Sequence, residues 1–308
     1  MYGVIGNNGM RELKAAGITD PGLVASYTEC KRLNSLHGKT YYLATLLLPK
    51  SKRPFVHALY GFARYADEIV DDLASTLSED EKAAALRGWG AQVICDIKAG
   101  ISQDPIGRAL VDTVQKFTIP IPHFEAFLHS MEMDLTIREY KTYEDLMEYV
   151  YGSAAVIGLQ MVPILGALSP AAYESAKRLG IAFQLANFIR DIGEDLERGR
   201  IYMPLEDLEK FNVRPEDLYA RVLTPNIINL IKFEIERVRT LQREANPGIA
   251  LLEAASRPCI EAASELYCGI VDEVEAIGYD VFSSRAKTST WRRLKVALPA
   301  YLRAIKTR

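Results

Sequence analysis

Two stretches of the sequence each place a pair of aspartates four residues apart. Because an α-helix turns by about 100° per residue, side chains four positions apart lie on the same face. We call each pair a carboxylate ladder: Asp67 with Asp71, and Asp191 with Asp195. The other polar side chains that share these two faces are Tyr60, Arg64, Gln184 and Asn187.

The ladders predict a binding site for a divalent cation and a diphosphate. Carboxylates one turn apart repel each other by about a few tenths of a kcal/mol on an exposed helix, and by more when buried. Oxygen ligands without His or Cys suit Mg²⁺, or Mn²⁺, which completes its coordination with water and substrate phosphates. Guanidinium groups match phosphate oxygens, and four arginines lie close to the ladders: Arg64, Arg190, Arg198 and Arg200.

A solvated helix face and a di-iron centre are the competing interpretations of the ladders. A single aspartate pair is most often a solvated helix face, but two pairs with Arg, Asn and Gln on apolar helices favour a site. A di-iron bundle requires Glu-x-x-His twice, and no histidine has Glu three places before it. Nucleotide motifs fail as well, since no G-x-G-x-x-G follows a strand and Leu33 replaces the first glycine of a P-loop.

The elements that carry the ladders are predicted to be helices of an all-α fold. Apolar residues recur at three- and four-residue spacing in the ranges 54–73, 143–166, 171–196, 226–244 and 249–278, whereas strand-like alternation is almost absent. No linker or internal repeat divides the chain. We therefore predict a flexible N-terminal segment, 1–14, followed by one domain, 15–308.

Composition excludes several classes of protein. The 308 residues include 37 Lys and Arg against 40 Asp and Glu, so the net charge is −3, and 49% are hydrophobic. This is the composition of a soluble globular protein, and it gives no positive field for nucleic acid. The absence of a secretion signal at the start predicts a cytoplasmic location. No zinc spacing joins the four cysteines, which are predicted to be buried free thiols: Cys30, Cys95, Cys259 and Cys268.

The range 149–173 contains no charged residue and is long enough to cross a bilayer. Gln160, Pro163 and Ser169 interrupt it, and no second such segment accompanies it. A helix that is apolar on all sides lies either in lipid or deep in a protein core. We predict the core helix.

Four motifs in this order resemble those of the squalene/phytoene synthase family over nearly the whole chain. They occupy 37–45, 64–71, 149–158 and 184–204, and the last runs Gln-Leu-Ala-Asn-Phe-Ile-Arg-Asp-Ile-Gly-Glu-Asp into Arg-Gly-Arg-Ile-Tyr-Met-Pro. The resemblance implies a single-domain isoprenoid-synthase helical bundle around a central apolar cavity. It also implies a prenyltransferase that joins two prenyl diphosphates head to head with Mg²⁺.

The resemblance further implies roles for individual residues. The metal ligands would be Asp67, Glu68, Asp71, Asn187, Asp191 and Asp195. The catalytic groups would be the four ladder aspartates with Arg64 and Tyr149. Substrate and diphosphate would contact His37, Thr40, Tyr41, Tyr60, Arg64, Gln184, Asn187, Arg190, Arg200, Tyr202 and Arg285. Three tyrosines, Tyr41, Tyr149 and Tyr202, match aromatic residues along the family's cavity.

Departures from the commonest family pattern bear on the substrate. Thr40-Tyr41 stands where Ser-Phe is usual, and Val150 with Ser153-Ala154-Ala155 looks most like bacterial phytoene synthases. The expected reaction therefore joins two geranylgeranyl diphosphates to phytoene through prephytoene diphosphate, without NADPH, in carotenoid biosynthesis and upstream of a carotenoid desaturase.

Three alternative functions stay open. The same chemistry on farnesyl diphosphate would give presqualene diphosphate, dehydrosqualene or squalene. Chain-elongating prenyltransferases and terpene cyclases carry different acidic motifs. A non-catalytic assembly factor would be expected to lose ladder carboxylates, and all four are present.

The C-terminal range 291–308 is short and rich in Arg and Lys. It is predicted to be a basic amphipathic segment broken by Pro299. Such a segment either rests on an anionic membrane surface as a peripheral contact or caps the helical bundle.

Overall fold

The computed structural model describes residues 7–71 and 77–307, without the side chains at 7, 8, 39, 40, 71 and 290. In these ranges the fold is all-helical apart from two isolated β-bridges, as predicted. The helices are α1 Asn7–Ala15, α2 Pro21–His37, α3 Lys39–Thr45, α4 Arg53–Asp71, α5 Glu79–Ala99, α6 Pro105–Phe117, α7 Ile121–Thr136, α8 Tyr143–Val150, α9 Val156–Leu165, α10 Ala171–Glu197, α11 Leu205–Lys210, α12 Pro215–Tyr219, α13 Pro225–Ala245, α14 Arg257–Cys268, α15 Ile270–Ala276 and α16 Thr290–Lys306. A π-helical turn, Tyr151–Ala155, joins α8 to α9, and a 3₁₀ turn, Asn246–Leu251, follows α13.

Local sequence explains where many helices begin and end. Asp20 caps α2 by accepting a hydrogen bond from the backbone N–H of Leu23, and Ser78 with Glu81 forms a capping box at α5. Proline occupies the first turn of α6, α12 and α13, where its missing N–H costs nothing. Gly100 ends α5 in the left-handed region, at φ 76°.

Helix α10 occupies the centre of the molecule. It is 27 residues long and packs against α9, α13, α14 and α15. The core consists of two clusters: one contains the apolar face of α4, and the other contains the apolar face of α10. The two ladders therefore belong to helices of different core clusters.

The uncharged central segment is buried, which confirms the predicted core helix. The run Tyr143–Leu165 is, among the described residues, the one helical stretch long and apolar enough to span a membrane, and 61% of its most apolar window is buried inside the protein. Its backbone touches that of α10. A Cβ atom on Gly158 would lie 2.5 Å from the carbonyl oxygen of Ala176, and one on Gly180 would lie 2.6 Å from that of Ala154. Only glycine allows this approach.

Residues 1–14 were predicted to be a flexible segment, and the structure differs from this prediction over residues 7–14. These residues are helical in α1. The Glu12 side chain is 1% exposed, forms an ion pair with Lys31, and accepts a hydrogen bond from Arg53 Nη1 at 2.8 Å. A buried carboxylate held by two cations fixes α1 to α2 and α4. Residues 1–6 lie outside the described residues, and the single-domain assignment stays a prediction.

Two predicted helix features are wrong. The range 249–278 is not one helix, because α14 begins anew at Arg257-Pro258 and is separated from α15 at Gly269. Pro cannot continue a preceding helix. Pro299 does not break the C-terminal helix, which continues through it. The carbonyl of Lys295, which loses its hydrogen bond to Pro299, lies on an exposed residue where water can replace that bond.

Three of the four cysteines are buried and all are free, but Cys95 is exposed, which corrects the prediction that all are buried. The buried face of α5 is carried by residues such as Leu86, Val93 and Ile97. Cys95 lies on the opposite, solvent-facing side of the same helix.

Candidate active site

The first ladder lies on α4, where Arg64 bridges two acidic side chains. Arg64 donates hydrogen bonds to Asp67 Oδ2 at 2.7 Å and to Glu68 Oε1 at 3.1 Å. His37 Nε2 lies 4.0 Å from the same Glu68 oxygen. Both carboxylates are exposed, at 45% and 41%. The side chains of Asp71 and of Thr40 lie outside the described residues.

The second ladder begins with Asp191, which two guanidinium groups bind at once. Arg190 donates to its two oxygens at 2.7 and 2.5 Å, and Arg285 donates to the same oxygens at 2.8 and 3.0 Å. Although burial opposes it, these hydrogen bonds lower the pKa of Asp191 below its usual value. Arg285 is 94 residues further along the chain and brings the loop before α16 to α10.

Asp195 and Asn187 complete an oxygen-rich face on α10. Burial, reinforced by the negative charge of Asp191, raises the pKa of Asp195 to about 7. Asn187 Oδ1 is buried and has no hydrogen-bond partner among the described residues. Asn187 lies one turn before Asp191 and Asp195 lies one turn after it. A buried carboxylate with a raised pKa and a buried acceptor without a hydrogen bond fit a hard divalent cation. The described residues contain no cluster of three His, Cys, Asp or Glu side chains that could hold a metal ion.

An apolar cavity of about 250 Å³ starts beside this face. Its walls come from α3, the π-helical turn, α9, α10, the 3₁₀ turn and α14. Gln184 lines the cavity two turns before Asp191, and Ala172 lines it twelve residues further back along α10. At about 1.5 Å per residue, this part of the wall is about 18 Å long. The cavity therefore extends away from the ladder as a long apolar space.

Tyr41 and Tyr267 line the cavity, and each stacks on an aromatic ring of a ladder helix. The rings of Tyr41 and Tyr60 stack with centroids 5.7 Å apart, and the Tyr41 hydroxyl donates to Met161 Sδ at 3.4 Å. Tyr267 of α14 lines the cavity, and its ring stacks on that of Phe183 of α10 with centroids 4.9 Å apart. Burial raises the pKa of Tyr267 to about 12. Sequence reasoning missed it because no motif marks α14.

Arg200 and Tyr202 bind Asp134, a residue that sequence reasoning also missed. Arg200 Nη1 lies 3.2 Å from Asp134 Oδ2, and Tyr202 donates to Asp134 Oδ1 at 2.6 Å. The backbone N–H of Ile201 donates to the carbonyl of Arg138, which places this loop beside the end of α7. The available signal was an acidic residue between two apolar residues, Met133 and Leu135. Asp134 is 7% exposed.

Tyr149 and Tyr202 belong to an aromatic cluster and are not among the residues that line the cavity. The rings of Phe188 and Tyr202 stack at 4.2 Å and 4°, and Tyr149 packs 5.6 Å from Tyr202. Burial raises the pKa of Tyr149 well above its ordinary value, so the phenol stays protonated. Of the three tyrosines expected along the cavity, the structure places only Tyr41 on its wall.

Comparison with known proteins agrees with this arrangement. The model of the squalene/phytoene synthase family matches residues 35–292. The 15-cis-phytoene synthase of Synechococcus elongatus is 36% identical over 294 residues, which cover 92% of this chain and 94% of the relative. The 15-cis-phytoene synthase of Synechocystis sp. is 38% identical over 291 residues, with 91% and 85% covered.

Two solved structures share the fold along most of their length. A dehydrosqualene synthase in complex with ligand superposes with a TM-score of 0.83 at 26% identity, over 96% of this chain and 100% of that chain. Squalene synthase HpnC from Alicyclobacillus acidocaldarius superposes with a TM-score of 0.79 at 27% identity, over 86% and 98%. The helical architecture around the cavity is therefore common to this chain and both structures.

Proposed function

Because the chain belongs to the squalene/phytoene synthase family, we propose that it is a phytoene synthase, which joins two geranylgeranyl diphosphates head to head for carotenoid biosynthesis. The observation that carries the proposal is that α10 forms both the oxygen-rich face at Asp191 and the wall of the apolar cavity. Such a helix can hold a diphosphate near its C-terminal end, at Asp191, and a prenyl chain along the preceding turns that line the cavity.

The charged groups around the second ladder suit a diphosphate. Arg190 and Arg285 neutralise Asp191 in the free protein, and we infer that they transfer to diphosphate oxygens when substrate binds. Mg²⁺, or Mn²⁺ in its place, would be held by Asp191, Asp195 and Asn187. It would neutralise the charge that develops on the departing diphosphate.

The helix α4 would supply the corresponding groups on the other side of the site. The proposed metal ligands there are Asp67, Glu68 and Asp71. Arg64, which bridges Asp67 and Glu68 in the free protein, would reach diphosphate oxygens. The proposed contacts of the second substrate are His37, Thr40, Tyr41 and Tyr60.

The proposed reaction consists of two ionisations without a reductant. The C1–O bond of one substrate breaks and diphosphate leaves with the electron pair, while C1 bonds to the double bond of the second substrate and a proton is lost. This gives prephytoene diphosphate. Its C–O bond then breaks, the skeleton rearranges, and a second proton is lost to give phytoene. No hydride is consumed, so we expect no requirement for NADPH.

The cavity would protect the cationic intermediates from water. Its wall is formed mainly by apolar side chains of α9, α10 and α14, such as Ile157, Leu179 and Ile260. An apolar space next to a charged face separates the prenyl chains from the diphosphates, and it keeps water away from the carbon centres.

The same chemistry on farnesyl diphosphate is the second candidate. It is favoured by the fold match to dehydrosqualene and squalene synthases at 26% and 27% identity. The higher identity to phytoene synthases, 36% and 38%, favours the twenty-carbon substrate. A carotenoid desaturase would act on the product, and a cytoplasmic location stays a prediction.

The test is product analysis with purified protein. We expect Mg²⁺-dependent conversion of geranylgeranyl diphosphate to a forty-carbon hydrocarbon, with or without NADPH, and little conversion of farnesyl diphosphate. A thirty-carbon product as the main outcome would contradict the substrate assignment. Asp67→Asn or Asp191→Asn should lower turnover by about a hundredfold or more without loss of helicity. Glu197→Gln, on the exposed end of α10, is the control that should retain activity.

A further inference from the structure

Helix α16 is built the opposite way to an ordinary surface helix. Its inward face, which packs on α14, carries the small residues Val296, Ala300 and Ala304, all buried. Its outward face carries large apolar residues, which we call the outer stripe. They are Trp291, Leu294, Leu298, Tyr301, Leu302 and Ile305, exposed by 80, 53, 62, 49, 54 and 50%.

The outer stripe is continuous, unlike the remaining exposed apolar residues. Six of the sixteen exposed large hydrophobic residues in the described part of the chain lie on this one helix. At about 3.6 residues per turn they fall within an arc of about 100°. A contiguous apolar strip of this kind marks an interaction surface, whereas scattered single residues do not.

Two ion pairs fix the orientation of the stripe. Arg292 Nη2 binds Asp272 Oδ2 at 2.6 Å near the start of α16, and Arg303 Nη2 binds Glu261 Oε2 at 3.1 Å near its end. Asp272 belongs to α15 and Glu261 to α14, so α16 runs antiparallel to the path of these two helices. Held in this way, α16 cannot turn its large residues inward without breaking both pairs and exposing Ala300 and Ala304.

The segment that carries the stripe is basic, although Arg292 and Arg303 are paired with acidic residues. Residues 287–308 contain seven Lys and Arg and no Asp or Glu, although the whole chain has a net charge of −3. Lys295 and Lys306 are exposed, make no ion pair with a described residue, and lie beside the stripe on the helical wheel. Trp291 and Tyr301 are residue types that favour the boundary between lipid and water.

We propose that α16 is an interfacial helix that docks the protein on an anionic lipid bilayer, with the outer stripe among the headgroups and the upper acyl chains. Charge complementarity selects this occupant over a second copy of the chain. A two-fold symmetric dimer through α16 would bring Lys295 and Lys306 of both copies together, which is unfavourable. An anionic surface compensates the same charges.

Docking through α16 would place the cavity one helix from the bilayer. Helix α14 packs on α16 and also lines the cavity with Cys259, Ile260 and Ala263. The docking proposal does not depend on the proposed reaction, because it is tested without substrate.

The first test is vesicle co-sedimentation of the full chain. We expect binding to vesicles of equal phosphatidylglycerol and phosphatidylcholine, and at least tenfold weaker binding to phosphatidylcholine alone. The triple variant Leu294→Gln/Leu298→Gln/Leu302→Gln should lose at least tenfold in partitioning. A matched control, Ile101→Gln/Leu168→Gln/Val222→Gln, changes three apolar residues outside α16 that are at least as exposed, at 62, 63 and 62%. It should bind as the unaltered protein does.

The second test examines charge and depth. Lys295→Gln and Lys306→Gln should each weaken partitioning roughly fivefold, with less effect in high salt. In a Trp89→Phe background the one remaining tryptophan is Trp291, and its fluorescence emission should shift to shorter wavelength on anionic vesicles.

The proposal is overturned if the unaltered protein does not bind anionic vesicles, or if the stripe variant binds them as strongly as the unaltered protein does. The proposal is also overturned if the unaltered protein is a dimer that does not bind vesicles, and if this dimer dissociates in the stripe variant but not in the control.

Discussion

Asp134 connects the loop after α10 to α7 through two contacts. It accepts a hydrogen bond from Tyr202 at 2.6 Å and forms an ion pair with Arg200. Arg200 is 8% exposed and Asp134 is 7% exposed. Since a buried charge without its partner is costly, the pair holds Arg200 in place near the second ladder.

We expect Asp134→Leu to destabilise the protein by about 3–5 kcal/mol, because it leaves the Arg200 guanidinium buried without this carboxylate. Urea denaturation measures the change. The double variant Asp134→Leu/Arg200→Leu should recover part of the loss, since neither charge then remains. Glu174→Gln, in an exposed pair with Arg178, serves as the control with no change in midpoint. If Asp134→Leu unfolds at the wild-type midpoint, the pair contributes nothing to folding.

At this scale the sequence predicts which side chains share a helix face but not which distant groups meet them. Helical spacing alone places Asn187, Asp191 and Asp195 together, because their geometry is local. The bond from Arg285 to Asp191 crosses 94 residues. No spacing rule contains such a contact, and the same holds for Tyr202 and Asp134.

The crossing of α9 and α10 depends on two glycines that let the backbones touch. Gly158 of α9 lies against the carbonyl of Ala176, and Gly180 of α10 lies against that of Ala154 in the π-helical turn that precedes α9. Both helices line the cavity, so their separation sets the width of that space. The consequence is that a methyl group at either glycine must push the two walls apart.

We expect Gly158→Ala or Gly180→Ala to destabilise the protein by about 1–3 kcal/mol through overpacking, although alanine is the better helix former. Thermal or urea unfolding measures the effect. Gly88, in the middle of α5, has open space where a Cβ would lie. Gly88→Ala is therefore the matched control and should stabilise by about 0.4–1 kcal/mol. Equal effects at Gly88 and Gly180 would show that the crossing is not tight.

Helix boundaries were predictable where the determinants are local. The predicted ranges 54–73, 171–196 and 226–244 agree with α4, α10 and α13 to within two residues at each end, because capping residues and prolines lie at the ends themselves. The range 249–278 was wrong, since its apolar spacing continues across Arg257-Pro258 and Gly269. Pro258 cannot continue a preceding helix, and the apolar spacing alone does not register this break.

On the scale of the whole molecule, α10 connects the two parts of the proposed site. Gln184 lies at the ladder end of the cavity and Ala172 lies about 18 Å back along the helix. Ala172 is 2% exposed and lies at the far end of this wall. A larger side chain at this position would shorten the space for a prenyl chain.

We expect Ala172→Leu to lower the ratio of turnover with geranylgeranyl diphosphate to turnover with farnesyl diphosphate by about tenfold, since added methyl groups in a pocket discriminate by this order. Competition between the two substrates, followed by product mass, measures the ratio. Ala171→Leu makes the same change on the exposed neighbouring residue and should leave the ratio unaltered. If the ratio is unaltered in Ala172→Leu, the end of the prenyl chain does not reach Ala172.

The all-α class and the buried central helix could be predicted from periodicity and charge. The cavity could not be derived from spacing, since it arises where helices of two core clusters fail to fill the space between them. The N-terminal helix was missed because its stability comes from Glu12, Lys31 and Arg53, which are distant in sequence. Tertiary contacts, rather than local propensity, account for both.

Each catalytic cycle of the proposed reaction has to end with expulsion of inorganic pyrophosphate. The Asp191 carboxylate, already bonded to Arg190 and Arg285 in the free protein, is an internal competitor for the same two cations. Because this competitor is tethered, its effective concentration is high and does not fall on dilution. In the proposed cycle Arg190 and Arg285 would therefore return to Asp191 as pyrophosphate leaves, which would limit product inhibition.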